Sequence, residues 1–395
     1  MDDLISQLNS TNPSSFKDDT SRIALLNASR SLVSRLERPW ERIYRVAICD
    51  PTIYESLKIA RDVNLFPHLS ASTPKTASTL ATETSTDAAL LSRILRVLVV
   101  VECIAETGPD AYIANAFSLS MQNPTGLIRG LDLFYDQGLP YISRLPAYFA
   151  TQGYQNPTSL SSAPWKWIEN VPDWTGPRWS YLDSKNTTCP LTPTDTRAAV
   201  FNAFLSSVRQ DQPSLAELHS FPELAAGGVF VDVGGGKGAD IASLATLHPG
   251  AKFILQDRAP LLSSLSQSIF PPNVQLQPHD FFTPNPIKNA KIYFLHSVLH
   301  DWPDAEARDI LLAMKTAMKP AFSKVVLMER VMEARDGDNE LFLACMDIQM
   351  MANFAALERS EAQWRALIES AGLKYEGRQA VHASFNLIEA TLSDS

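Results

Sequence analysis

The segment Asp232-Val233-Gly234-Gly235-Gly236-Lys237-Gly238 limits the possible folds of this chain more than any other. It follows an apolar run, Val229 to Val233, and precedes a helix-forming run, Ala239 to Leu247. Glycine lets the backbone turn tightly and lets a ligand approach it closely. Further apolar runs follow at Phe253 to Asp257, Val274 to Gln277, Lys291 to Leu295 and Lys324 to Met328. Helical patterns at Leu261 to Ile269 and Ala305 to Met318 separate them. Near-continuous apolar strands alternating with helices specify a parallel sheet covered on both faces. The expected fold class is α/β, with a C-terminal doubly wound, Rossmann-like sheet.

In an open parallel sheet, ligands bind beyond the carboxyl ends of the strands. The second strand ends in Asp257, about twenty residues after Gly238, where a carboxylate can accept ribose hydroxyl hydrogens. A dinucleotide site wants G-x-G-x-x-G. Here the spacing is Gly234-x-Gly236-x-Gly238, one residue tighter, and it begins with an acid.

The 395 residues divide into three expected units. Residues 1–125 read as a helical module: a polar arm to about Lys17, helices from Thr20 to Ala60, a short helix near Lys75, and Ser85-Thr86-Asp87 capping a helix from Ala88 to Val99. Two short β-like segments around Gly108-Pro109-Asp110 complete a winged-helix pattern. Residues 126–210 are rich in aromatics, among them Phe134 and Trp167, and read equally as core or as the wall of a pocket for a flat apolar substrate. From Asp183 to Thr196 a surface loop is expected, and residues 211–395 hold the sheet.

Winged helices often bind DNA, but Arg93 and Arg96 are the only cations on the Ala88 to Val99 helix and the net charge is −9. A protein that neutralises many phosphates needs a basic face, so no nucleic-acid partner is expected. The four cysteines show no metal-ligand spacing, and no metal is expected. The acidic start lacks a basic, apolar leader, and no run reaches the roughly 18 apolar residues of a membrane helix. A cytoplasmic protein with a small-molecule substrate is expected.

The chain resembles the class I S-adenosylmethionine (SAM)-dependent small-molecule O-methyltransferases of the caffeate type, in their fungal secondary-metabolism branch. The motifs are VDVGGGKG, LQDRAPLL, HDFF, LHDWPD, MERV and LERSEAQW. The resemblance implies SAM as cofactor, held by Asp232, Gly234, Gly235, Gly236 and Gly238, with Asp257 on the ribose and Asp280 and Phe281 flanking the adenine. It implies His300 as general base, with Glu329 and Glu358 as its flanking carboxylates. Histidine suits that task because its pKa lies near neutral pH. Phe134, Trp167, Asp301, Met346, Met350 and Phe354 are the expected substrate contacts, though Met346 reads equally as core. A homodimer built by N-terminal helices is also implied.

Two positions depart from the pattern. His296 stands where relatives usually carry Arg or Lys toward the cofactor, and Pro172 to Thr196 is unlike a plain helical lead-in. Some fungal relatives keep the fold and SAM but dehydrate or cyclise their substrates, so a SAM-dependent pericyclase or dehydratase is the alternative. Retention of His300, Glu329 and Glu358 favours methyl transfer.

Overall fold

The computed structural model describes residues 2–393 apart from 125, 177, 183, 185–187, 190, 191, 211, 333–339, 383 and 384. Its centre is a seven-stranded sheet. The strands are β1 (Val229–Val233), β2 (Lys252–Asp257), β3 (Val274–Pro278), β4 (Ile292–His296), β5 (Lys324–Arg330), β6 (Leu373–His382) and β7 (Phe385–Leu392). Their spatial order is β6-β7-β5-β4-β1-β2-β3. The first five strands pair in parallel, and β7 pairs antiparallel with both β5 and β6.

Both faces of the parallel part are covered, which is why those strands are apolar throughout. Val231, Tyr293, Leu295, Val325 and Leu327 enter one core, against Ile310, Leu311 and Trp364. Phe230, Phe253, Leu255, Phe294 and Val326 enter the other, against Ile241 and Leu244. The chain runs outward from β1 to β3, then returns to β4 on the other side of β1. That reversal opens a crevice at the carboxyl end of β1, where the glycine turn lies.

Two elements differ from expectation. The hairpin β6–β7 was not anticipated, because Lys374, Glu376 and Arg378 interrupt its apolar residues and β6 is an edge strand with one solvated side. The expected helix from Leu261 to Ile269 is instead a short helix, Ala259–Leu262, and a 3-10 turn, Gln267–Ile269. Ser266 breaks the run by accepting a hydrogen bond from the Ser268 amide, an alternative that serine offers the backbone.

The N-terminal arm also departs, forming a helix over Asp2–Ser10 with no buried residue. The helix Ala88–Val100 is capped by Asp87 and buries Leu91, Ile94, Leu95 and Leu98. The ribbon Ala105–Glu106 with Tyr112–Ile113 forms the wing. Leu36, Trp40, Ile43, Val46 and Ile48 stay more than half exposed on the preceding helices. No helix among the described residues is long and apolar enough to cross a membrane. Strands Thr188–Cys189 and Thr192–Thr196 pair where a loop was expected, and residues 183, 185–187, 190 and 191 of that segment lie outside the described residues.

Between the module and the sheet, helices Arg129–Gln137, Leu139–Thr151 and Arg197–Gln210 pack together. Arg197 ties them with two bonds to Asp136, at 2.7 and 3.3 Å, and one to Glu169 at 2.9 Å. The Tyr141 hydroxyl donates to the same Glu169. This polar knot fixes the aromatic region over the sheet's carboxyl edge.

Candidate active site

The glycine turn is shaped by what lies beneath it. Asp232 is fully buried, and neither carboxylate oxygen has a hydrogen-bond partner. Burial first, and then the charges of Asp240 and Asp257, hold its carboxyl well above the ordinary range against the opposing Arg209. A side chain at Gly235 would overlap the Asp232 carboxylate and Leu255. Gly238 has φ +76°, and a Cβ there would lie 2.6 Å from the Phe270 ring. Gly236 faces open space, and its amide donates to Asp257 Oδ2 at 2.9 Å. Gly234 lies under Phe281 and Val298. Asp280 is exposed beside them and accepts a bond from the Phe282 amide.

The crevice therefore offers a bare backbone, an orphaned buried carboxyl and a second carboxylate at the end of β2. Buried polar atoms without partners are rare in folded proteins. These features fit a bound cofactor with a polar amino-acid part and a ribose.

At the end of β4, the departure at His296 is offset by another element. His296 Nδ1 lies 2.8 Å from Asp240 Oδ2 and 3.2 Å from Arg209 Nη2, and Arg209 Nη1 donates to Asp240 Oδ2 at 2.8 Å. Burial lowers the His296 pKa, although Asp240 opposes it. Burial pushes the Asp240 carboxyl up, but His296 and Arg209 hold it well below its ordinary value. Arg209 thus carries the positive charge at this corner, from the helix Arg197–Gln210.

Beyond β4, a 3-10 turn over Leu299–Asp301 presents His300. The amides of Val298 and Leu299 donate to Glu329 Oε1 at 3.0 and 2.9 Å. Arg359, fully buried, donates to the carbonyls of Leu299 and Trp302, both at 2.9 Å, and to Asp304. The turn is clamped from both sides. Replacing Arg359 with methionine strands two carbonyls, each at a cost of roughly 1–3 kcal/mol. We expect a lower melting temperature in Arg359→Met and a fall in kcat exceeding any change in cofactor affinity, measured by calorimetry. An unchanged kcat would refute the positioning role.

His300 is itself buried. Its Nδ1 lies 2.9 Å from Glu358 Oε1, and its Nε2 lies 3.5 Å from Asp301 Oδ1. Burial lowers the imidazole pKa, but Asp301, Glu358 and Glu329 overcome it and bring the value to about 9. Burial raises Glu329 to about 7 and Asp301 to about 6, in each case against the attraction of His300. Burial also pushes Glu358 up, but its bond to His300 and the charges of Arg330 and Arg359 win and lower it. A carboxylate on Nδ1 fixes the tautomer and stabilises the imidazolium formed on proton uptake.

Over this turn lies the helix Glu340–Phe354, whose Met346, Met350 and Phe354 cluster with Trp179. The Trp179 and Phe354 rings are 5.5 Å apart, and Trp179 lies close enough to act on the Asp301 carboxyl.

The profile of the O-methyltransferase domain matches residues 193–374. The O-methyltransferase mfmE of Annulohypoxylon moriforme is 33% identical over 380 residues, covering 94% of this chain and 90% of that protein. The chain belongs to the O-methyltransferase family. The O-methyltransferase mpaG of Penicillium brevicompactum is 30% identical over 371 residues, covering 89% of this chain and 88% of its own. Among solved structures, LepI in complex with SAM is 27% identical with a TM-score of 0.85, covering 99% of this chain and 98% of that one. OxaC in complex with sinefungin and meleagrin, at 20% identity and a TM-score of 0.80 over 96% of this chain and 94% of its own, shares the fold. Members of the family use SAM as cofactor.

Within this family frame, the structure gathers His300, Asp301, Glu329 and Glu358 into one cluster and sets Asp232, Asp257, Asp280, Phe281 and the glycines around the crevice. It does not bring all the expected substrate contacts together. Phe134 packs edge-on against Phe204 at 5.4 Å, on the connecting helices. Trp167 lies by Tyr148 and under the Arg144 guanidinium, on a cleft of about 500 Å³ that Ile168, Asn170 and Pro172 also border. His300, Asp301, Glu329 and Glu358 do not line that cleft. Residues not singled out from sequence are Arg209, Asp240 and Arg359, which act through partners distant in the chain, and Arg178, the neighbour of Trp179. Arg359 had one visible signal, its place inside the LERS motif beside Glu358.

Proposed function

We propose that this O-methyltransferase family member uses SAM to methylate a hydroxyl of a small aromatic or polyketide-derived metabolite, with His300 as general base. The observation that carries this reading is the buried His300–Glu358 contact of 2.9 Å at the crevice edge. When bound, the cofactor supplies an electrophilic methyl group on a sulfonium. The protein's part is to hold the acceptor oxygen in line, which contributes within the roughly 7–11 kcal/mol ascribed to positioning, and to take up the hydroxyl proton on His300. Glu358 stabilises the resulting imidazolium. Asp232, Asp257 and the glycine turn hold the cofactor, Phe281 flanks its base, and Met346, Met350 and Phe354 cover the acceptor.

The test is incubation of the protein with SAM and phenolic or polyketide acceptors, following S-adenosylhomocysteine by mass spectrometry. Acceptor-dependent release with a methyl mass gained supports the reading. A second reading, a pericyclase or dehydratase of the same fold, is favoured by a solved structure described as a pericyclic reaction enzyme, 27% identical over 99% of this chain with a TM-score of 0.83. It would consume an acceptor without releasing S-adenosylhomocysteine, and that outcome would replace the first reading.

The same family frame supports a homodimer, and the exposed row from Leu36 to Ile48 supplies the apolar surface for it. We expect light scattering at micromolar concentration to give a dimer mass. A monomer would sink this assignment.

A further inference from the structure

We propose that Arg178 is an anion-binding residue of the acceptor pocket, and that the acceptor carries a carboxylate or an equally acidic enol at the end remote from the reacting hydroxyl. The inference rests on the small-molecule acceptor reading above and adds the charge of that acceptor.

Arg178 opens the short helix Arg178–Leu182 and is only 3% exposed. Arginine is almost never buried without a partner. Here the guanidinium makes no hydrogen bond to any described residue, and its Nη1 is fully buried and unpartnered. The side chain is held by its faces. Its Cζ lies 4.6 Å from the Tyr141 ring centre, 5.6 Å from that of Trp165 and 5.8 Å from that of Phe354. Cation–π contacts cover the flat faces of a guanidinium. They leave its edge, where the N–H donors point, without acceptors. A planar anion is the group that fits such an edge, because a carboxylate takes two parallel N–H bonds in plane.

The protein's own carboxylates are committed elsewhere. Glu169 accepts from Tyr141, Tyr181 and Arg197. Asp136 takes both remaining arms of Arg197. Asp301 faces His300 at 3.5 Å. Asp136 and Asp301 lie within reach of the Arg178 charge, yet neither pairs with it. Position completes the case. Phe354 touches both Arg178 and Trp179, and Trp179 adjoins Asp301 beside the base. A flat acceptor lying along Phe354 would therefore meet His300 at one end and Arg178 at the other.

The test uses equilibrium binding, so that it does not depend on turnover. Hydroxylated benzoic and naphthoic acids, each paired with its methyl ester, are titrated by calorimetry into the full-length protein saturated with S-adenosylhomocysteine. We expect at least one acid to bind about tenfold tighter than its ester. Arg178→Met should erase that preference while leaving S-adenosylhomocysteine affinity unchanged, and Arg178→Lys should keep part of it. If no acid in the panel exceeds its ester, or if the preference survives in Arg178→Met, the proposal is overturned. Should Arg178→Met fail to fold, the acid–ester comparison in the native protein and in Arg178→Lys still decides. Failure of methyl transfer itself would appear separately, as absent S-adenosylhomocysteine release with acid binding intact.

Discussion

Replacing His300 with alanine is expected to lower kcat/KM about 10²–10⁴-fold, the range of a general base, while S-adenosylhomocysteine still binds. Affinity should persist because the imidazole contacts Glu358 and Asp301 rather than the glycine turn. The pH profile distinguishes a base from a structural histidine. With its pKa raised to about 9, His300 is protonated at neutral pH. Its neutral, proton-accepting form grows as pH rises, so kcat/KM of the native enzyme should climb through neutral pH with its midpoint near pH 9. Residual activity of His300→Ala should lack that rise. Stability runs the other way. A folded pKa above the ordinary 6.5 means that the imidazolium's contribution is fully present below about pH 6.5 and is lost as pH rises through about 9. Melting temperatures of native protein and His300→Ala should therefore converge at alkaline pH. A native profile flat from pH 6 to 9 would remove His300 from the proton-transfer role.

The second large effect is expected at Gly235. A methyl group there overlaps the Asp232 carboxylate and Leu255, both fixed within the sheet. The turn must shift outward, into the space that the cofactor would use. Gly235→Ala should cost roughly 1–3 kcal/mol by overpacking and should abolish measurable S-adenosylhomocysteine binding. Gly250→Ala is the control, since nothing lies within 4 Å of the added carbon. Calorimetric titration beside thermal melts reads both effects. Retained cofactor affinity in Gly235→Ala would show that the ligand does not lie on this turn.

Both effects concern residues whose importance is local in sequence. The strand–turn–helix around Gly235 is written within twenty residues, because backbone conformation and burial of a parallel strand depend on near neighbours. The apolar periods of β1 to β5 are legible for the same reason. The hairpin β6–β7 was not, since a half-solvated edge mixes charges into its pattern. Of the site, His300, Glu329 and Glu358 stand out because they sit in short motifs at strand ends. Trp167 and Phe134 stand out in the sequence as aromatics, but composition does not say which way a helix turns its rings. The fold turns one onto an outer cleft and the other onto Phe204.

The sequence alone determined the α/β class, the glycine turn after β1 and the membership of the acid–histidine cluster, since each depends on residue types at fixed short spacing. Only the tertiary structure decided that Arg209 brings the missing cation to His296 from 87 residues away, that Arg359 clamps the His300 turn, and that Arg178 Nη1 is buried without a partner. Those are facts of partnership between distant segments. Hydrogen bonding and burial are satisfied in space, not along the chain.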